Sequence, residues 1–120
     1  MNIELKVSKR AISYEKAMVF LDKRVEEIKN NKNCELIWIL EHPLTFTAGI
    51  RYAQNEILDK KIKIIKTKRG GKLTLHDKGQ KIIYFVINLN KRKKDIRKLI
   101  NAIEKSIIQF LRLYNIKAVA

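Results

Sequence analysis

Cysteine, proline and glycine are all scarce in this chain: one, one and four among 120 residues. The single cysteine, Cys34, excludes an internal disulfide and fits a reducing, cytoplasmic compartment. No run of about 18 apolar residues occurs, so no membrane-spanning helix is expected. The opening stretch to Val7 alternates polar and apolar residues, unlike the basic start and apolar block of a signal peptide. Acidic residues are also few. Twelve Asp and Glu stand against 27 Lys and Arg, a net charge of +15. Such a charge attracts polyanions and acidic proteins over about a Debye length. Lys, Ile and Asn dominate and the lysines are scattered, which reads first as the codon usage of an AT-rich genome. The densest basic cluster, Lys91-Arg92-Lys93-Lys94, is short and sits between an expected strand and helix. It reads as a solvated turn, because nucleic-acid binding needs basic residues gathered on one element with aromatics or a known module.

The residues of common catalytic sites are thin as well. His42 and His76 are far apart in sequence and neither has a metal-binding spacing to a carboxylate or to Cys34. Ser8, Ser13 and Ser106 lie in no nucleophile elbow. Asp77 directly follows His76, so in a strand the two side chains would point to opposite faces. Cys34 sits in an Asn/Lys-rich turn without a histidine nearby in sequence, a poor setting for a nucleophile. No metal, no cofactor and no catalytic residue is assigned within the chain.

What is present is a regular succession of elements. With 46% apolar residues and this length, one domain with a usable core is expected. Ile3–Val7 alternates like a strand. Ser13 reads as an N-cap, and Tyr14, Ala17, Met18, Leu21, Val25 and Ile28 form the apolar stripe of a helix reaching about Lys29. The Asn30–Asn33 stretch ends it, since Asn tolerates left-handed backbone. Glu35–Leu40 reads as a strand buried on both faces, interrupted by Glu41-His42-Pro43. Thr45–Gly49 is a second extended piece, Tyr52–Asp59 has room for one helical turn, and Ile62–Lys66 reads as a strand. Lys72–His76 and Lys81–Leu89, separated by the turn residues Asp77-Lys78-Gly79-Gln80, predict an antiparallel hairpin. Asp95–Tyr114 is the clearest helix, with Asp95 in its first turn and Asn115 ending it. Ile116–Ala120 reads as the start of a further strand. The order predicts an α+β fold, with two long helices packed on a mixed, mostly antiparallel sheet.

The segment Arg69-Gly70-Gly71-Lys72-Leu73-Thr74-Leu75-His76 carries the strongest chemical signal. Paired glycines let the backbone bend tightly around a ligand and leave amides uncovered, which can bind an oxyanion, a carboxylate or a carbonyl oxygen. Arg69 would add a planar cationic fork, and His76 shares the Thr74 face of the strand. An ordinary turn entering a hairpin remains the plain alternative. The spacing is not that of a phosphate-binding loop, and a strand follows where that loop needs a helix.

This segment, with Gly79-Gln80, Tyr84 and Asn88-Leu89, resembles the octanoyltransferases of lipoate biosynthesis, whose pattern is R-G-G-x-x-T-x-H-x-x-G-Q and then an apolar strand ending in Asn-Leu. Tyr14-Glu15, Glu41-His42-Pro43 and Thr45–Gly49 fit the same family in order, so the resemblance spans nearly the whole chain. It implies a fold shared with biotin and lipoate protein ligases. It implies transfer of an octanoyl group from acyl carrier protein to a lysine of lipoyl domains, in 2-oxoacid dehydrogenases or the glycine cleavage H protein, through an enzyme thioester. Arg69 to His76 would line the acyl pocket, and the positive charge would steer acidic partners. The family's nucleophilic cysteine and its lysine are expected after the long helix, and Cys34 does not align with that cysteine. The chain therefore resembles the N-terminal part of the domain, inactive alone and prone to self-association through uncovered apolar surface. His76-Asp77 stands where the family usually has His-Gly, which is closer to the lipoate ligases. A non-catalytic binder of acyl carrier protein or lipoyl domains and a nucleotide-using ligase are the alternatives.

Overall fold

A computed structural model describes residues 2–120, which form two compact units that divide between Ile87 and Asn88. The first unit is built on two three-stranded sheets. Sheet A holds β1 (Ile3–Val7), β2 (Glu35–Leu40) and β6 (Ile82–Val86), with β2 in the centre, parallel to β1 and antiparallel to β6. Sheet B holds β3 (Thr45–Ala48), β4 (Ile64–Lys66) and β5 (Leu73–His76), with β3 in the centre, parallel to β4 and antiparallel to β5. The α+β class and the mixed sheet are as the sequence suggests, with parallel and antiparallel pairs in equal number.

Helix α1 (Tyr14–Lys29) forms where its stripe predicts. Ser13 caps it, its Oγ accepting from the Lys16 amide at 3.4 Å. With Lys16 three residues after the cap no reciprocal acid bond can form, so this end is held by one long bond and by packing. Ala17, Leu21 and Ile28 of α1 bury against Leu36, Trp38, Leu40 and Val86 of sheet A. Each fully buried Leu or Ile contributes roughly 1.5–3 kcal/mol, so this interface is the main support of the unit. Trp38 fixes its polar edge by donating from Nε1 to Ser8 Oγ at 2.9 Å. Arg24, on the same helix and nearly buried, pairs with Glu4 at 2.7 Å, which ties α1 to β1. Asn31 closes the helix in the left-handed region at φ 54°.

The expected β5–β6 hairpin does not form. β5 pairs with β3 and β6 with β2, so the turn at Asp77–Lys81 carries the chain from sheet B to sheet A. Glu41-His42-Pro43 makes the opposite crossing after β2 ends at Leu40, and Pro43, with no N–H for a ladder, fits this break between strands. The two crossings are tied together: Glu41 accepts from the Gly79 amide at 3.0 Å and from Lys81 Nζ at 2.6 Å. Sequence alternation reports two strands and a turn, but not which partner each strand takes.

One face of sheet A carries α1. The other presents Leu5, Ile37 and Phe85 in one cross-strand row and Val7, Ile39 and Ile83 in the next. Leu5 and Val7 are 65% and 61% exposed, so this apolar face is open at its β1 edge.

In the second unit, a short 3-10 turn (Leu89–Arg92) precedes α2 (Ile96–Arg112). Asp95 is the N-cap itself, outside the helix, and accepts from the Lys98 amide at 3.0 Å. Asn115, at φ 59°, follows the helix end, and the Ile116 amide closes back on Leu111 at 3.1 Å. No residue of α2 is buried, and its apolar stripe keeps Ile96, Ile100 and Ile107 about half exposed. The strand expected at 116–120 is absent: these residues carry no ladder, and extended chain becomes a strand only when another strand pairs with it.

Candidate functional site

The Arg69–Gly71 bend is built by β3 and the residues after it. Three successive amides, Gly49, Ile50 and Arg51, donate to the carbonyls of Lys72, Arg69 and Gly71 at 2.8, 3.0 and 3.0 Å. So close an approach demands glycine at 49: a Cβ there would lie 2.4 Å from Gly71 O and 2.7 Å from Gly70 O. Gly71 is needed for another reason, its φ of +87°. Gly70 has open space around it and no such φ. Among the described residues, no backbone acceptor is bonded to the Gly70 or Gly71 amide.

The guanidinium of Arg69, expected from the sequence as a fixed cationic fork, is bonded within the bend itself. Nη2 donates to Thr47 Oγ1, Lys72 O and Thr47 O at 2.8, 3.0 and 3.1 Å, and Nη1 to Gly70 O at 2.9 Å. It latches the bend onto the fully buried Thr47. Lys72 is drawn away to Glu56, and their contact holds the Glu56 carboxyl below its ordinary range. Leu73 and Thr74 are partly buried in β5, Leu75 is 48% exposed, and Thr74 lies opposite Thr47.

His76 ends β5 opposite Thr45, and the double crossing brings His42 beside it, ring centroids 5.6 Å apart. Tyr14 and Tyr84 complete a four-ring cluster that sequence spacing does not reveal. Tyr14 stacks on His76 at 6.0 Å and meets His42 edge-on at 5.3 Å. His42 is fully buried. Its Nδ1 lies 2.7 Å from the Ile12 carbonyl and its Nε2 2.8 Å from the Tyr84 hydroxyl. A carbonyl only accepts, so Nδ1 carries a proton, and in the neutral ring Nε2 accepts from Tyr84. Burial, with Tyr14 adding to it, pushes the Tyr84 phenol up to about 12, so it keeps that proton. His76 contacts Gln80 Oε1 through Nδ1 at 3.3 Å and Thr47 Oγ1 through Nε2 at 3.5 Å. Burial pulls the His76 imidazole below its ordinary value, and the facing His42 and Arg69 act in the same direction against the Gln80 bond. The residues that sequence reading missed are therefore Tyr14, His42, Thr47 and Tyr84. The only early signal was their place in family-like motifs.

Beside the cluster runs an open groove of about 460 Å³, between α1 (Tyr14, Met18) and the chain from Ile65 to Arg69. That volume falls within the usual range of small-molecule sites. Of the eight expected binding residues, Arg69 alone is on its wall, and His76 meets Tyr14 from behind. Cys34 lies just before β2, at the opposite end of that strand from His42, roughly 20 Å away along the strand. Among the described residues, no cluster of three His, Cys, Asp or Glu could hold a metal ion, and no helix is long and apolar enough to cross a membrane.

The family model of the lipoyl protein ligase A/B catalytic domain matches residues 13–120. The octanoyltransferase of Wolbachia sp. subsp. Brugia malayi is 42% identical over 115 residues, covering 95% of this chain and 56% of that protein. The octanoyltransferase of Wolbachia pipientis wMel is 42% identical over 111 residues, covering 92% and 54%. That of Bartonella bacilliformis is 40% identical over 116 residues, covering 96% and 48%. The chain thus spans about half the length of the curated relatives it matches.

Proposed function

The chain belongs to the lipoyl protein ligase A/B catalytic-domain family, and from that premise we propose that it supplies the acyl-binding part of an octanoyltransferase in lipoate biosynthesis. The donor would be octanoyl-acyl carrier protein. The acceptor would be a lysine of a lipoyl domain, in a 2-oxoacid dehydrogenase or the glycine cleavage H protein. The observation that carries this reading is the latched bend at Arg69–Gly71, whose Arg69 lines an open groove shared by the apolar Met18 and Ile65 and the charged Glu15, Asp22, Lys66 and Lys68, next to a built, largely hydrogen-bonded cluster. A rigid wall of this kind orients an acyl group without being rebuilt by each ligand, which is how positioning lowers a barrier.

In this proposal the Arg69–His76 segment backs the groove: Arg69 is on its wall and latches the bend, Gly71 makes the bend, and His76 packs on Tyr14. The thiolate needed for a thioester comes from outside these 120 residues, since Cys34 lies at the far end of β2 from the cluster. The isolated chain would bind acyl carrier protein or its acyl group and not turn over. Its charge of +15 supports an acidic partner, because complementary potentials steer encounter.

The test is incubation of the full chain with octanoyl-acyl carrier protein, read by intact mass and by binding at low and high salt. The expected result is salt-sensitive non-covalent binding with no octanoyl adduct on Cys34. A stable adduct on Cys34 would overturn the assignment of the nucleophile, and absence of binding at low salt would overturn the function. Clear ATP binding would instead favour a ligase-like protein, the kinship hinted at by His76-Asp77.

A further inference from the structure

Each ring of the four-ring cluster carries polar atoms, and all but one ring have partners for them. His42 is bonded through both nitrogens, His76 contacts partners through both, and the Tyr84 hydroxyl faces His42 Nε2. Tyr14 is the exception. It is 7% exposed, yet among the described residues its hydroxyl has no hydrogen-bond partner. That hydroxyl is not among the fully enclosed polar atoms without partners, so it keeps access to something outside the protein. The groove along α1 is lined by Tyr14 itself. A hydroxyl without a partner on a nearly buried ring is poorly solvated and available to a ligand.

We propose that Tyr14 is a ligand-binding residue whose hydroxyl donates a hydrogen bond to the carbonyl oxygen of an acyl chain lying in the groove between α1 and Ile65–Arg69. This rests on the octanoyl reading above and assigns it a polar anchor. The direction of the bond follows from three facts. Burial pushes the phenol above its ordinary range, so at neutral pH Tyr14 holds its proton and is a donor. The neighbouring Arg69 is held on the bend, with Nη2 on Thr47 and Lys72 and Nη1 on Gly70, so its fork is turned to the backbone. The ring is also fixed by His76 on its face and by His42 at its edge, so the hydroxyl is aimed without the cost of ordering a free side chain. Met18, one helical turn on, and Ile65 across the groove offer apolar surface to the hydrocarbon.

The test uses the full chain and S-octanoyl-N-acetylcysteamine, a small octanoyl thioester, with Tyr14→Phe as the variant. Phenylalanine keeps the ring contacts and removes only the hydroxyl. Wild type is expected to bind the thioester with its carbonyl stretch lowered. Tyr14→Phe is expected to bind roughly 2- to 10-fold more weakly, the effect of one hydrogen bond, with the stretch back at its free value. Wild type labelled at tyrosine Cζ gives a readout that needs no folded variant: the Tyr14 resonance moves on saturation. Equal binding by Tyr14→Phe with the carbonyl shift retained, or a Tyr14 resonance that stays still, overturns this inference and leaves the octanoyl reading standing. If wild type leaves the thioester unbound, the octanoyl reading falls and this one with it.

Discussion

Replacing Gly49 by alanine should be the most damaging glycine substitution in the chain, although Gly49 is not part of the glycine pair. The new Cβ would lie 2.4 Å from Gly71 O and 2.7 Å from Gly70 O. Both obstacles are backbone atoms, which cannot rotate away as a side-chain tip can. Relief requires β3 and the bend to separate, which lengthens the bonds donated by Gly49, Ile50 and Arg51. Overpacking costs about 1–3 kcal/mol, and weakening one or two hydrogen bonds adds roughly 1 kcal/mol. A loss of about 2–4 kcal/mol follows, which for a unit of this size lowers Tm by roughly 10–20 °C. Gly71→Ala should cost less, about 1–2 kcal/mol, because the strain is confined to one residue at φ +87°. Gly70→Ala should change stability by less than about 0.5 kcal/mol, since nothing lies within 4 Å of its added Cβ. Urea and thermal unfolding followed by circular dichroism measure all three. If Gly49→Ala proves as mild as Gly70→Ala, the close approach of β3 to the bend is wrong, and so is the latched wall built on it.

Arg69→Lys keeps the charge but not the planar fork, so most of four bonds are lost; a destabilisation of about 2–3 kcal/mol is expected in urea unfolding, and none would deny Arg69 its latching role. Tyr84→Phe removes the donor to buried His42 Nε2 and should cost about 1–3 kcal/mol, while the isosteric Tyr14→Phe should cost little; equal losses would contradict the bonding pattern. His76 has a folded pKa below its ordinary 6.5, so the unfolded chain binds the proton more readily. Its contribution to stability is present above about 6.5 and is lost as pH falls through the lower folded value. A His76→Asn chain should therefore lose less stability than wild type on acidification across that window, and parallel curves would contradict the burial of His76. Leu5→Gln, in the open row with Ile37 and Phe85, should reduce dye binding and self-association seen by sedimentation, with unfolding midpoints little changed. No change in association would remove that face as its cause.

Several features were legible from residues alone because they depend on local physics. The α1 stripe, the Ser13 cap, the left-handed Asn31 and Asn115, and the break at Pro43 all follow from side chains acting on their own backbone or the next turn. The Arg69–His76 segment stood out for the same reason, since paired glycines advertise an unusual backbone wherever they occur. The role of Arg69 did not, because an isolated arginine gives no sign of whether its fork faces a ligand or a neighbouring carbonyl. His42 looked inert for lack of a partner at any useful spacing, yet its partners stand 30 and 42 residues away.

The sequence by itself determined both helices, the positions of six strands, and that the chain would carry a strong positive field, but not that 116–120 would lack a strand partner. Only the tertiary structure decided that β5 joins β3 and β6 joins β2, and hence that the chain crosses between sheets twice at one place. That choice brings Tyr14, His42, His76 and Tyr84 together. Strand pairing is settled by which apolar faces can be buried at once across the whole unit, a global competition that no local pattern encodes.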